Sequence, residues 1–322
     1  MQVAENSLRR LLKRISEARR AKFDELRRTL HYVKASRAGA TKPMSFFQQP
    51  ANLRYFSGIA LLAIFGAPQA DLWPKWQKHD SASVQKIDHS TWDKLLKEYL
   101  VASHPSGINR VRYGSVAPED RKALKSYIAN LQSLPISAYN RAEQKAYWIN
   151  LYNALTVEIV LSRYPVESIR DIAISPGLFS RGPWDAKLLT VEGEKLSLND
   201  IEHRILRPVW KDERVHYAVN CASVGCPNLQ PTAYTGANTE ELLEKGAGEY
   251  VNHPRGVALK SGKLYVSSIY DWFKDDFGAD RDRLLEHWLK YAEKDLAGAL
   301  KTYKGGLSYS YDWSLNGAET KP

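Results

Sequence analysis

The chain is poor in the residues that staple small secreted folds or hold structural metals. It has two cysteines in 322 residues, Cys221 and Cys226, too few for a disulfide framework. As a single Cys-x4-Cys without a second pair, they make a weak zinc signature. No apolar run approaches the roughly 20 residues that a helix needs to cross a bilayer; the stretch over residues 55–67 stops at 13. Glycine does not follow the phosphate-cradling spacings: there is no Gly-x-Gly-x-x-Gly after a strand-like segment and no P-loop. Internal repeats and low-complexity tracts are missing too, which removes solenoids and long disordered tails. No cofactor and no metal is therefore expected.

A further shortage is hidden by the total. The net charge of +10 suggests a nucleic-acid partner, but residues 1–43 carry twelve Lys/Arg against four Asp/Glu, and Arg54 is the only charge over residues 44–70. From Asp71 onward 33 basic residues face 32 acidic ones. A basic patch attracts phosphate only when it lies on the folded surface, so nucleic acid is not expected as a partner. At 43% hydrophobic and 25% charged, the rest is ordinary for a globular chain.

Residues 53–70 read Leu-Arg-Tyr-Phe-Ser-Gly-Ile-Ala-Leu-Leu-Ala-Ile-Phe-Gly-Ala-Pro-Gln-Ala: a positive charge, an apolar stretch, then small residues. That is the layout of a secretory signal peptide, with cleavage expected after Ala70 although Pro68 departs from the preferred small residue. Met44 places a start at an ordinary distance upstream. Residues 44–70 are thus expected to be a signal peptide and residues 1–43 an over-extended gene start, the alternative being a basic helix carrying Leu8, Leu11, Leu12 and Ile15. Residues 71–322 are expected to form one exported globular domain, periplasmic or secreted from a bacterium, meeting the membrane only through the signal.

Within that domain, apolar periodicity and capping residues predict helices over residues 90–101, 118–131, 141–164, 239–251, 269–277 and 281–292. Ser90 or Thr91 is the natural N-cap of the first, and Pro118 sits in the first turn of the second. Residues 188–196 and 256–266 read as hairpins. Ser197-Leu-Asn-Asp200 resembles a capping box leading a helix to residue 206. Residues 215–219 (Val-His-Tyr-Ala-Val) read as a short strand, and the tail, rich in Gly, Ser and Tyr, as a loose finish. Helices and hairpins alternate without a βαβ rhythm. The fold class is therefore α+β, helix-rich, with short hairpins and a small, mostly antiparallel sheet.

Five ordered blocks carry a resemblance. Tyr147-Trp-Ile-Asn-Leu-Tyr-Asn-Ala-Leu155, Gly182-Pro-Trp-Asp185, Leu196-Ser-Leu-Asn-Asp-Ile-Glu-His203, His216-Tyr-Ala-Val-Asn-Cys-Ala-Ser-Val-Gly-Cys-Pro227 and Tyr270-Asp-Trp-Phe-Lys-Asp-Asp-Phe-Gly278 resemble the family known as domain of unknown function 547. The resemblance covers most of residues 72–292. It implies an exported bacterial protein and brings no established reaction.

Chemistry concentrates in the block around His216 and Cys221. In one reading Cys221 is a nucleophile, because a thiol near pKa 8.5 becomes reactive beside a base or cation. His216 would be that base. Asn220, Asp271, Asp275 or Asp276 would orient the imidazole, with Asn220 and Ser223 as donors to a developing oxyanion. In a second reading Cys221 and Cys226 form a disulfide, which an oxidising compartment favours and Gly225 permits. A redox pair and a metal site with His216 are lesser alternatives. Trp148, Asn150, Asn153, Trp184, Asp271 and Trp272 are the candidate binding residues. For the two asparagines, hydrogen bonding to buried backbone is the competing role, since a mid-helix Asn needs a partner. His203 beside Glu202 is more simply a structural histidine.

The expected activity is cysteine-dependent hydrolysis or acyl/amide transfer by Cys221 and His216 in the bacterial envelope. The alternative is a non-catalytic binding module with a Cys221–Cys226 disulfide, holding a small molecule, a peptide or a cell-wall component. Nine Trp and eighteen Tyr make an aromatic binding surface plausible for the latter.

Overall fold

The structure is a computed structural model that describes residues 69–177 and 181–318. The expected basic segment and nearly all of the expected signal peptide lie outside the described residues. Eight α-helices and seven short strands are present among those described, in three small sheets, so the fold is α+β and rich in helix. No helix among them is long and apolar enough to cross a membrane.

Helix α1 (Ser90–Tyr99) buries Trp92, Leu95 and Leu96. Its N-cap is His89, and the Asp88 carboxylate accepts from the Ser90 N–H at 2.8 Å, so Asp88 takes the part expected of Ser90 or Thr91. A short antiparallel pair follows, β1 (Leu100–Val101) and β2 (Arg110–Val111). Helix α2 (Pro118–Ser133) has proline in its first turn, as its missing N–H and preset φ favour.

Helix α3 (Arg141–Leu161) is the central post. Asn140 caps it by accepting from the Glu143 N–H. Its sequence is apolar on most sides, and the structure buries it on nearly every face, with Tyr147, Trp148, Ile149, Leu151 and Tyr152 at or near zero exposure. The hairpin β3 (Leu189–Val191) and β4 (Glu194–Leu196) leads to Ser197. There the expected capping box forms: Asp200 Oδ2 accepts from Ser197 N–H at 2.7 Å, and Ser197 Oγ accepts from Asp200 N–H at 3.2 Å.

The turn that follows is not an ordinary α-helix. Asp200–Leu206 is a π-helix running into α4 (Arg207–Trp210), and Arg207 N–H reaches back to Glu202 C=O. The wider turn needs a compensating environment, and such turns recur at functional sites. Residues 215–219, expected as a strand, instead belong to a 3₁₀ turn over Glu213–Tyr217. Asp212 caps that turn by accepting from Arg214 N–H, and among the described residues no strand pairs with it; strand preference without a ladder decides little.

Helix α5 (Thr239–Asn252) precedes the second sheet, β5 (Val257–Lys260), β6 (Lys263–Ser267) and β7 (Leu307–Ser310). β5–β6 is the expected antiparallel hairpin, while β7 returns parallel to β6. Helix α6 ends at Trp272 (Ile269–Trp272), short of the expected residue 277, and Gly278 turns the chain at φ +99°. Helices α7 (Arg281–Tyr291) and α8 (Lys294–Thr302) complete the set. The tail does not finish loosely. After β7 it runs over the Cys221–Cys226 loop, with Val224 N–H donating to Ser314 C=O and Gly225 N–H to Asp312 C=O, both at 2.8 Å.

Candidate functional site

The floor of the site is built by the π-helix, the 3₁₀ turn and the segment after α6. Five ionisable side chains meet there: Glu202, His203, Arg207, His216 and Asp276. His216 Nε2 lies 2.6 Å from Asp276 Oδ2, and Arg207 Nε donates to the same oxygen at 2.5 Å. On the other side of the imidazole, Nδ1 stands 3.7 Å from Glu202 Oε1. Phe273 stacks on the His216 ring at 4.3 Å with an interplanar angle of 15°, and Phe277 closes the next side. The π turn lets Glu202, His203 and Arg207 share this pocket, with Arg207 3.1 Å from His203 Nδ1.

Burial sets the electrostatics. His203 is pulled down to about 4, chiefly because burial penalises the imidazolium and Arg207 adds to the effect, while Glu202 opposes it. For Asp276 burial alone would raise the carboxyl, but hydrogen bonds from His216 and Arg207 outweigh it and hold the group well below the usual carboxylate range. Burial pushes the Tyr152 phenol far up, with Glu202 adding to the shift.

Beside the floor is the loop of Asn220 to Cys226. Cys221 and Cys226 form a disulfide, their Cα atoms 6.2 Å apart. Cys226 is buried and Cys221 partly exposed. The Tyr311 hydroxyl donates to Cys226 Sγ at 3.1 Å and stands 3.1 Å from Cys221 Sγ; Ser223 Oγ–H donates to Tyr311 at 3.0 Å. The backbone N–H of Cys221 also points at Cys226 Sγ, at 2.9 Å.

From Tyr311 a half-buried aromatic wall extends away from the disulfide. Its ring lies 4.9 Å from Trp272 and 4.7 Å from Trp313; Trp272 and Trp313 stack at 5.6 Å and 27°, and Trp184 meets Trp313 edge-on at 5.7 Å. Arg170 covers Trp313 at 5.1 Å. Exposed Asp185 and Asp271 flank Trp184 and Trp272 in the chain.

Several expected residues take other roles. His216 presents its two nitrogens to Asp276 and Glu202, and Cys221 has Cys226 as its sulfur partner. Of the proposed imidazole partners, Asp276 is the one that reaches it. Asn220 does not; its amide accepts from Ala222 N–H at 2.8 Å and donates to Pro227 C=O at 2.7 Å, shaping the loop. Asn150 and Asn153 bind no cleft. Asn150 pairs with both backbone groups of Tyr234, and Asn153 donates to Ala218 C=O at 2.9 Å while accepting from Asn220 N–H at 2.8 Å. Trp148, 1% exposed, packs edge-on against Trp76 and Tyr147 in the core. Trp184 and Trp272 do lie on the aromatic wall.

Sequence reasoning undervalued Glu202 and missed Arg207, Tyr311 and Trp313. Their signals were faint: an acidic residue beside a histidine in one block, and aromatics at every second position, Tyr309, Tyr311 and Trp313, in the tail. Among the described residues no group of three or more His, Cys, Asp or Glu is arranged to hold a metal ion.

Residues 136–251 match a family model described as Protein of unknown function, DUF547. The matched span contains Glu202, His203, Arg207, His216 and both cysteines, whereas Asp276 and most of the aromatic wall come from beyond it. No curated protein and no solved structure matches the chain.

Proposed function

From the site itself, because the DUF547 description that residues 136–251 match names no activity, we propose an exported bacterial envelope protein that binds a saccharide against the aromatic wall. The observation that carries this is the run of half-buried rings from Trp184 through Trp313 and Trp272 to Tyr311. A sugar ring has an apolar C–H face and a hydroxyl rim. Flat aromatic surface complements the face, and polar groups beside it complement the rim. Asp185, Asp271 and Arg170 are suitably polar and adjoin the wall. The disulfide favours binding over cysteine chemistry, because it leaves Cys221 no free thiolate.

The test is intrinsic tryptophan fluorescence during titration with soluble N-acetylglucosamine oligomers and other cell-wall saccharides. A saturable change is expected with wild type, weakened at least about tenfold by Trp272→Ala, as the loss of one stacking anchor implies. No saturable change across the saccharides, or undiminished affinity in Trp272→Ala, ends this reading.

A second reading, cysteine-dependent hydrolysis or acyl/amide transfer, draws support from the His216–Asp276 contact at 2.6 Å, which resembles the base-and-orienter half of a triad. It requires Cys221 as a free thiol brought to the imidazole.

A further inference from the structure

A disulfide that closes five residues stabilises little by entropy, so its presence calls for either a loop in need of pinning or a chemical use. The Cys221 loop is already pinned. Asn153 accepts from Asn220 N–H, Val224 and Gly225 donate to the C-terminal strap, Asn316 N–H donates to Ala222 C=O, and Tyr250 O–H donates to Gly225 C=O at 2.7 Å. None of these bonds involves sulfur.

The two sulfurs also differ in their settings. Cys221 is partly exposed, whereas Cys226 is 3% exposed. Hydroxyls stand near both sulfurs, Tyr311 at 3.1 Å from each and Ser223 Oγ at 3.2 Å from Cys221 Sγ, but Cys226 Sγ alone also faces a backbone donor, the Cys221 N–H at 2.9 Å, and it is the sulfur to which Tyr311 O–H donates. Such donors stabilise a thiolate more than a neutral disulfide sulfur, and a better-stabilised leaving thiolate departs faster.

We propose that Cys221–Cys226 is an exchange-competent disulfide opened by a dithiol reductant, with Cys221 the sulfur attacked and Cys226 the sulfur that leaves. A donor thiolate attacks Cys221 Sγ. The donor–Cys221 bond forms, the Cys221–Cys226 bond breaks, and its electron pair stays on Cys226, held by Tyr311 and the Cys221 N–H until it takes a proton. The donor's second thiol then loses its proton and attacks the donor sulfur of the mixed disulfide. This closes the donor's own disulfide and releases Cys221, which is protonated in turn. Two electrons and two protons pass from the dithiol to the protein. The exchange is independent of whether a saccharide occupies the aromatic wall.

The full chain with dithiothreitol as the reductant tests this. In native buffer, reduction followed by iodoacetamide and intact mass should give one alkylation, at Cys221. The melting temperature should stay within about 4 °C of the oxidised protein, a small shift for a domain of this size. Cys226→Ser, which leaves Cys221 free, should form a mixed disulfide with oxidised glutathione at least tenfold faster than Cys221→Ser. Tyr311→Phe, which keeps the ring and removes the donor, should slow reduction by dithiothreitol about tenfold. Reduction that needs denaturant, loss of the fold on reduction, equal reactivity of the two single variants, or an unchanged rate in Tyr311→Phe would each overturn the proposal. Saccharide titration reads none of these quantities, so either idea can fail alone.

Discussion

Asp276 lies between Arg207 and His216 with a single oxygen bonded to both. Arg207 is itself 6% exposed, so removing the carboxylate takes an ion-pair partner from a buried guanidinium. Breaking such a pair typically costs about 3–5 kcal/mol. Asp276→Asn should therefore destabilise the domain by about 3 kcal/mol in urea denaturation near neutral pH. Because the folded state depresses this carboxyl below its ordinary 3.8, its contribution is complete above about pH 4 and fades as the pH falls toward the folded value. The gap between wild type and Asp276→Asn should be constant from pH 7 to 5 and should narrow below pH 4. A gap that stays full at pH 3 would show that Asp276 acts through packing instead. His216 and Asp276 stand 60 positions apart, so no local pattern could have announced this pair. Asp276 was legible only as one of several acidic residues in a motif.

At the scale of elements, α3 anchors the 218–220 segment through an amide. Asn153 satisfies two buried backbone groups of the 218–220 segment, and each such group left unpaired costs about 1–3 kcal/mol. Asn153→Ala should lose about 2–4 kcal/mol, more than Ser197→Ala, which removes one cap and should lose about 1 kcal/mol. Thermal melts of the two variants give the order; a larger loss in Ser197→Ala would move the anchor of the loop from α3 to the π turn. The capping box at Ser197 and Asp200 was readable because both partners sit three residues apart. The π character of the turn was not, since it depends on Glu202, His203 and Arg207 all finding partners in a pocket assembled from elsewhere. The 3₁₀ turn at Glu213–Tyr217 was missed for a similar reason: Val215, Tyr217 and Val219 favour a strand only where a second strand offers its hydrogen bonds.

For the whole molecule, export is the prediction on which the proposed function depends. The mature protein should begin at Asp71, and intact mass of the periplasmic fraction measures it. Recovery of a soluble cytoplasmic form retaining residues 44–70 would remove the envelope setting. Within the described chain, the residues just after that point are already engaged: Asp71 N–H donates to His203 C=O at 2.9 Å, and Trp73 N–H to Arg204 C=O at 3.1 Å, with Arg204 4.3 Å over the Trp73 ring. The start of the expected mature domain thus backs the π-helix that carries Glu202 and His203.

The sequence by itself determined the quantities that are local or additive. These are the α+β class, the near-neutral charge of residues 71–322, and the places of α2, α3, α5 and both hairpins. Helical periodicity, proline in a first turn and hairpin composition act over a few residues, and composition sums over the chain. Only the tertiary structure decided which partners those residues take. It brought Tyr311 and Trp313 from the tail to the disulfide, set Asp276 on His216, turned Asn150 and Asn153 toward backbone, and buried Trp148 against Trp76. Those choices follow from close packing and from the need of every buried polar group for a partner, which are satisfied across tens to hundreds of positions. A pairing of that kind is a property of the folded surface, and no spacing along the chain encodes it.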